Sequence, residues 1–82
     1  MDIREVLALN LKRLRRARGL SQEELAHCAD IDRTYISSLE RSVYAAGIDV
    51  VDRLARCLGV EASDLLVRPP VAGLKKKKSP AS

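Results

Sequence analysis

With 82 residues the chain has room for a single domain, and a domain of that size buries only about 60% of its unfolded surface, so it needs disulfides, a metal or a partner to be more than marginally stable. The formal net charge of +4 is supplied by Lys75, Lys76, Lys77 and Lys78, because residues 1–70 carry 11 basic and 11 acidic side chains; charge alone therefore does not argue for a nucleic-acid partner. No apolar run approaches the ~18 residues of a membrane span, and the acidic, amphipathic N-terminus lacks the plan of a signal peptide; a cytoplasmic protein is expected, nucleoid-associated if bacterial, with no membrane partner.

Helix one is predicted from about Asp2 to Arg18. Ile3, Leu7, Leu11 and Leu14 recur at helical spacing as one buried stripe. Asp2 with Glu5 reads as a capping box, the arginines at the far end suit the helix dipole, and Gly19 closes the helix in the left-handed region. Ser21 with Glu24 reads as a second capping box, opening a short helix two from Gln22 to Ala29 with Leu25, Ala26 and Ala29 inward. Asp32 caps helix three, from Arg33 to about Arg41, whose inner face is Ile36 and Leu39, with Ile31 plugging the turn. A loop over residues 42–47 leads to helix four, Ile48 to Leu58, which buries some of Ile48, Val51, Leu54, Ala55 and Leu58 before Gly59 stops it. A last short helix, about Ala62 to Leu66, has Ser63 or Glu61 near its start. The expected fold is an all-α, compact five-helix domain over residues 1–67. Residues 68–82, with prolines, Gly73 and the lysine run, read as a disordered basic tail.

Cys28 and Cys57 lie in apolar-rich helical stretches without Cys-x-x-Cys spacing. His27 points about 100° away from Cys28 on a helix, so no metal site is formed. Two reduced thiols and no metal or other cofactor are the expectation, and by elimination the missing stability comes from a homodimer. Val60, Leu65, Leu66 and Val67 exceed what one small core needs and are the candidate interface.

The functional signal lies in residues 21–41, S-Q-E-E-L-A-H-C-A-D-I-D-R-T-Y-I-S-S-L-E-R: a short helix, a tight turn and a second short helix, apolar only where crossed helices touch. Ala26 is the small residue that lets the second helix cross closely. Asp30 falls where the turn needs a left-handed backbone, which Asp tolerates better than most residues. The small polar side chains on the outside of the second helix suit the reading of base edges in a DNA major groove.

The stretches L-K-R-L-R-R-A-R-G-L-S-Q-E-E-L-A, I-D-R-T-Y-I-S-S-L-E-R and I-D-V-V-D-R-L-A-R-C-L-G-V resemble the lambda-repressor/Cro-like, or Xre, family over about residues 4–67, and the second is most similar to restriction–modification controller proteins. The resemblance implies a helix-turn-helix transcriptional regulator, repressor or controller protein, that binds double-stranded DNA at a symmetric operator as a dimer. Gln22 matches the family glutamine that bonds a phosphate and braces the recognition helix. Arg33, Thr34 and Ser38 match positions that meet base edges, with Ser37 beside them; arginine can bond guanine O6 and N7 in a bidentate way. Tyr35 is a phosphate or sugar contact or packs over the neighbouring helix. Glu40 matches an acid that pairs with an arginine of helix one, here Arg15, in a structural role. The sequence departs from the family at Ser42 and Asp30, where glycine is usual, and in a following loop without a basic residue, where Tyr44 is the remaining candidate for backbone contact. Arg13 and Arg16 either reach phosphates or form a solvated face, and the lysine run either adds sequence-independent affinity or serves solubility.

No nucleophile constellation, phosphate loop or metal cluster points to an enzyme, and no sensor segment points to a small-molecule ligand. The competing reading is a protein–protein module of the same fold, antitoxin-like or anti-repressor. RNA is disfavoured, since Tyr35 and Tyr44 are the only aromatic residues.

Overall fold

The computed structural model describes residues 1–69. Four α-helices follow in chain order: α1 (Ile3–Ala17), α2 (Gln22–Ala29), α3 (Arg33–Glu40) and α4 (Ile48–Leu58), closed by a short 3-10 helix (Ala62–Leu65). The count is thus four α-helices and a 3-10 turn, not five α-helices. In the last element the Glu61 amide donates to Asp64 at 2.9 Å at its start, and the Leu66 amide donates to the Ser63 carbonyl three residues earlier, the tighter ladder of a single 3-10 turn. The expected disordered tail lies, from Pro70 onward, outside the described residues.

Local chemistry accounts for the helix ends. The Arg4 amide donates to Asp2 at 2.8 Å and the Asp2 amide to Glu5 at 2.9 Å; Ser21 and Glu24 repeat the same exchange at the start of α2. Asp32 caps α3 by accepting from the Thr34 amide at 2.7 Å. Each box satisfies two amides that the first helical turn leaves without partners. At the exits, Gly19 and Gly59 are left-handed, but so are two residues with side chains, Asp30 (φ 59°) and Ser42 (φ 62°). Gly59 is additionally crowded, since a Cβ there would stand 2.7 Å from Arg18 Nη1.

The core is built by Leu7 and Leu11 of α1, Leu25, Ala26 and Ala29 of α2, Ile36 and Leu39 of α3, Val51, Leu54, Ala55 and Leu58 of α4, and Leu65. One expected core position, Ile3, falls outside it, and Ile48 is the member of the α4 set that is not buried. Ile3 is 48% exposed and Ile48 87% exposed, because each occupies the first turn of a helix that overhangs the packed centre. In their place Val6, Ala8 and Asn10 are buried: α1 is covered by α3 on one side and by the 3-10 helix on the other, so it buries a wider arc than one stripe. Asn10 donates through Nδ2 to the carbonyls of Leu65 at 3.0 Å and Val67 at 2.8 Å, fastening the C-terminal segment to α1.

The cysteines correct the sequence reading. Cys28 and Cys57 are joined by a disulfide, Cα to Cα 6.0 Å, across 29 residues. Their spacing along the chain does not reveal that α2 and α4 cross at these two positions, within the span a disulfide bridges. Among the described residues no group of His, Cys, Asp and Glu could hold a metal, and no helix is long and apolar enough to cross a membrane.

Candidate nucleic-acid interface

Residues 21–41 form one unit. Ala26 is buried where α2 meets α3, and a larger residue there would push the helices apart. The left-handed Asp30 reverses the chain, and the Ile31 amide donates to the Ala26 carbonyl at 2.9 Å, satisfying an acceptor at the end of α2. The turn is held from outside by Arg53 of α4, whose guanidinium donates to the Ala29 carbonyl at 2.9 and 3.1 Å and to the Asp30 carbonyl at 2.9 Å. Positive charge at this point also suits the negative end of the α2 dipole.

The far end of α3 is fixed by a buried polar network. Glu40 accepts from Arg15 Nε at 2.6 Å, from Arg15 Nη2 at 3.0 Å and from Gln22 Nε2 at 3.0 Å, and Arg15 Nη1 donates to the Leu20 carbonyl at 2.8 Å. One carboxylate thus ties together α1, α2 and α3. Burial pushes the Glu40 carboxyl upward, but the hydrogen bonds from Arg15 and Gln22 and the charges of Arg15 and Lys12 outweigh it and hold the group below the ordinary carboxylate range. The hydrogen bond to Glu40 outweighs burial at Arg15 and raises its guanidinium further.

With both ends of α3 anchored, its outer face is Arg33 and Thr34, exposed, and Ser37, half-buried. Four residues beyond Ser37, exposed Arg41 donates from Nε to the Ser37 carbonyl at 3.3 Å. Arg33, Ser37 and Arg41 therefore form one line at four-residue spacing, with a cation at each end. The sequence reading carried the helix to about Arg41 without naming Arg41 as a contact, although its spacing from Arg33 and Ser37 sets it in this line. Lys12, half-buried on α1, was likewise not named as a contact; its charge reaches Glu40.

Other sequence-predicted positions lie elsewhere. Ser38 is only 5% exposed, because the chain after α3 folds back over the last turn and the Val43 amide donates to the Ser38 carbonyl at 3.0 Å; it has no free surface for a base edge. Tyr35 is half-buried and packs against the core. Arg13 donates to Asn10 Oδ1 at 3.2 Å, on the side of α1 that meets the C-terminal segment, about 200° around the helix from Arg15; it is not beside α3. Tyr44 is exposed in the loop after α3. Of the candidate interface residues, Leu65 is fully buried and Val60 packs against the core, so both are spent inside the monomer. Leu66 and Val67 are exposed. Leu66 borders an apolar groove of about 150 Å³ with Ile3, Leu7, Ala45, Ala46, Ile48 and Val51, and with Arg4 at its rim.

Two short helices crossing at a small residue, joined by a left-handed turn and presenting a polar outer face on the second, define a helix-turn-helix domain. Residues 11–65 match the helix-turn-helix family HTH_3, and the chain belongs to that family. It is 43% identical over 74 residues to a hypothetical transcription factor of Neisseria meningitidis serogroup B, covering 90% of this chain and 69% of the relative. The solved structure of the Neisseria factor superposes with a TM-score of 0.81 over 83% of this chain and 78% of its own. Control protein C.SmaI of Serratia marcescens is 39% identical over 77 residues, 94% of this chain and 88% of the relative. The restriction–modification controller protein C.Esp1396I, solved as a tetramer in complex with its natural 35-base-pair operator, matches with 28% identity and a TM-score of 0.72 over 79% of this chain and 86% of that one. The controller proteins are thus among this chain's relatives, as the recognition-helix stretch suggests.

Proposed function

We propose that this protein is a sequence-specific DNA-binding transcriptional regulator that sets α3 into the major groove of a two-fold symmetric operator as a homodimer. The observation that carries the reading is the outer row Arg33, Thr34, Ser37 and Arg41 on a short helix whose two ends are fixed by Arg53 and by the Arg15–Glu40–Gln22 network. Specific readout needs side chains held to within a fraction of an ångström, and a helix anchored at both ends provides that. Arg33 is assigned to a guanine, Thr34 and Ser37 to neighbouring base edges, and Lys12, Gln22, Arg41 and Tyr44 to the phosphate backbone; Gln22 keeps a second N–H beyond the one given to Glu40. The likeness to a controller protein solved on its operator supports DNA as the partner.

The dimer face is the apolar groove with Leu66 and Ile48 on its lining, together with exposed Val67 next to Leu66 in the chain. Large exposed apolar side chains gathered around one groove mark a contact surface rather than scattered surface residues, and a two-fold axis there makes the contact self-complementary. Half-sites then lie about one helical turn apart, ~34 Å.

The test is selection from a random duplex pool at about 150 mM salt, wild type beside Arg33→Ala. Enrichment of a two-fold symmetric site, with one position relaxed in each half by Arg33→Ala, is the expected result. Absence of any enriched sequence would overturn the proposal and direct the search to a protein partner.

A further inference from the structure

The disulfide and Arg53 act on the same place. Arg53 and Cys57 are four residues apart on α4, hence on one face. Arg53 donates to the carbonyls of Ala29 and Asp30, and Cys57 is bonded to Cys28. One face of α4 therefore holds three consecutive residues, 28 to 30, at the point where α2 ends and the chain reverses. That point sets the direction of α3. It is also locally weak: α2 has eight residues, too few to be stable alone, and its exit uses a left-handed non-glycine residue, Asp30, a conformation that must be imposed by its surroundings.

We propose that the Cys28–Cys57 bond is a redox-responsive tether which, with Arg53, clamps the turn of the helix-turn-helix to α4, so that thiol oxidation tightens the grip on DNA and reduction loosens it. Arg53 is the permanent, positioning half of the clamp, and the disulfide is the removable half. The bond is open to exchange, since Cys28 is exposed and Cys57 half-buried, and accessible disulfides are the labile ones. A DNA regulator works in a compartment that keeps thiols reduced, where disulfides that do form are mostly transient and redox-sensing. Oxidation by a low-molecular-weight disulfide balances as two thiols plus one small-molecule disulfide giving the Cys28–Cys57 bond and two small-molecule thiols, with two electrons and two protons passing to the latter. Reduction by a dithiol runs the exchange the other way.

The DNA part rests on the function proposed above, so the test has an arm that does not need DNA. Full-length protein is equilibrated in glutathione buffers of graded oxidised-to-reduced ratio, and free thiols are counted by alkylation and mass spectrometry. Amide hydrogen exchange is followed at residues 26–36, and affinity is measured for the duplex enriched from the random pool. The expected result is full reduction within the glutathione range, faster exchange at residues 26–36 than in the oxidised form, and DNA binding weaker by about tenfold, an ordinary coupling between sites. The Cys28→Ser, Cys57→Ser double variant should behave as the reduced form at every ratio. Arg53→Lys, which keeps the charge but not the fork, should be intermediate in exchange and still respond to glutathione. A bond that resists glutathione, or unchanged exchange at residues 26–36 on reduction, overturns the tether. Changed exchange with no enriched duplex overturns the DNA function and leaves the clamp standing. Changed exchange with equal affinity for the duplex overturns the regulatory claim.

Discussion

Replacing Glu40 by Gln tests the network that orients α3. The buried carboxylate accepts three hydrogen bonds, two from Arg15 and one from Gln22, and the Arg15 side chain is 10% exposed and that of Glu40 2%. An amide in its place offers one oxygen and turns an N–H₂ group toward donors, leaving the Arg15 charge buried without its counter-ion. Removing one partner of such a pair costs about 3–5 kcal/mol, and the retained acceptor argues for the lower end. A folded body of 69 residues has only about 3–10 kcal/mol of stability to lose, so the melting temperature should fall by about 12–24 °C for a loss of about 3 kcal/mol. The pH dependence adds a second check. Glu40 is held below its ordinary carboxyl range in the fold; its contribution is complete above the unfolded carboxyl pKa and disappears as pH falls through the lower folded value. Thermal melts followed by circular dichroism should show a constant gap between wild type and Glu40→Gln from pH 8 to 6, closing below about pH 4. A gap of less than about 4 °C at pH 7, or one unchanged down to pH 3, would refute the reasoning. The apolar pair Arg15→Met with Glu40→Leu should recover most of the stability, since two ions then escape desolvation, while losing the hold on Gln22.

Further outcomes follow from single features of the fold. Ser42→Gly should stabilise the domain by about 1 kcal/mol, because the left-handed residue at φ 62° loses its Cβ conflict; a lower denaturation midpoint in urea would contradict this. Asn10→Ala should cost about 2 kcal/mol by leaving the Leu65 and Val67 carbonyls without their donor, and hydrogen exchange should show the C-terminal segment loosened from α1 ahead of the rest. Leu66→Glu should give a monomer by analytical ultracentrifugation without changing the helical signal, whereas an unchanged dimer would place the interface elsewhere.

The four helices and their ends were legible because their causes are local. Asp2 with Glu5, Ser21 with Glu24, and Asp32 satisfy the amides within reach of their own side chains, and Gly19 and Gly59 stop helices by their own backbone freedom. The left-handed Asp30 was legible from its place in the helix-turn-helix pattern, four residues after Ala26, where Asp tolerates that backbone better than most residues. The outward placement of Arg33 and Thr34 follows from helical periodicity once the inner face is known.

What the sequence alone determined is therefore whatever is settled within a turn or two of chain: where helices begin and end, which side of each is apolar, and that residues 21–41 make a helix-turn-helix. Only the tertiary structure decided which elements cross and where. It placed Cys28 against Cys57, took Leu65 into the core and left Ile3 and Ile48 outside it. Each of these depends on a neighbour many residues away, and helical spacing fixes the direction of a side chain relative to its own helix but not what another helix brings to meet it.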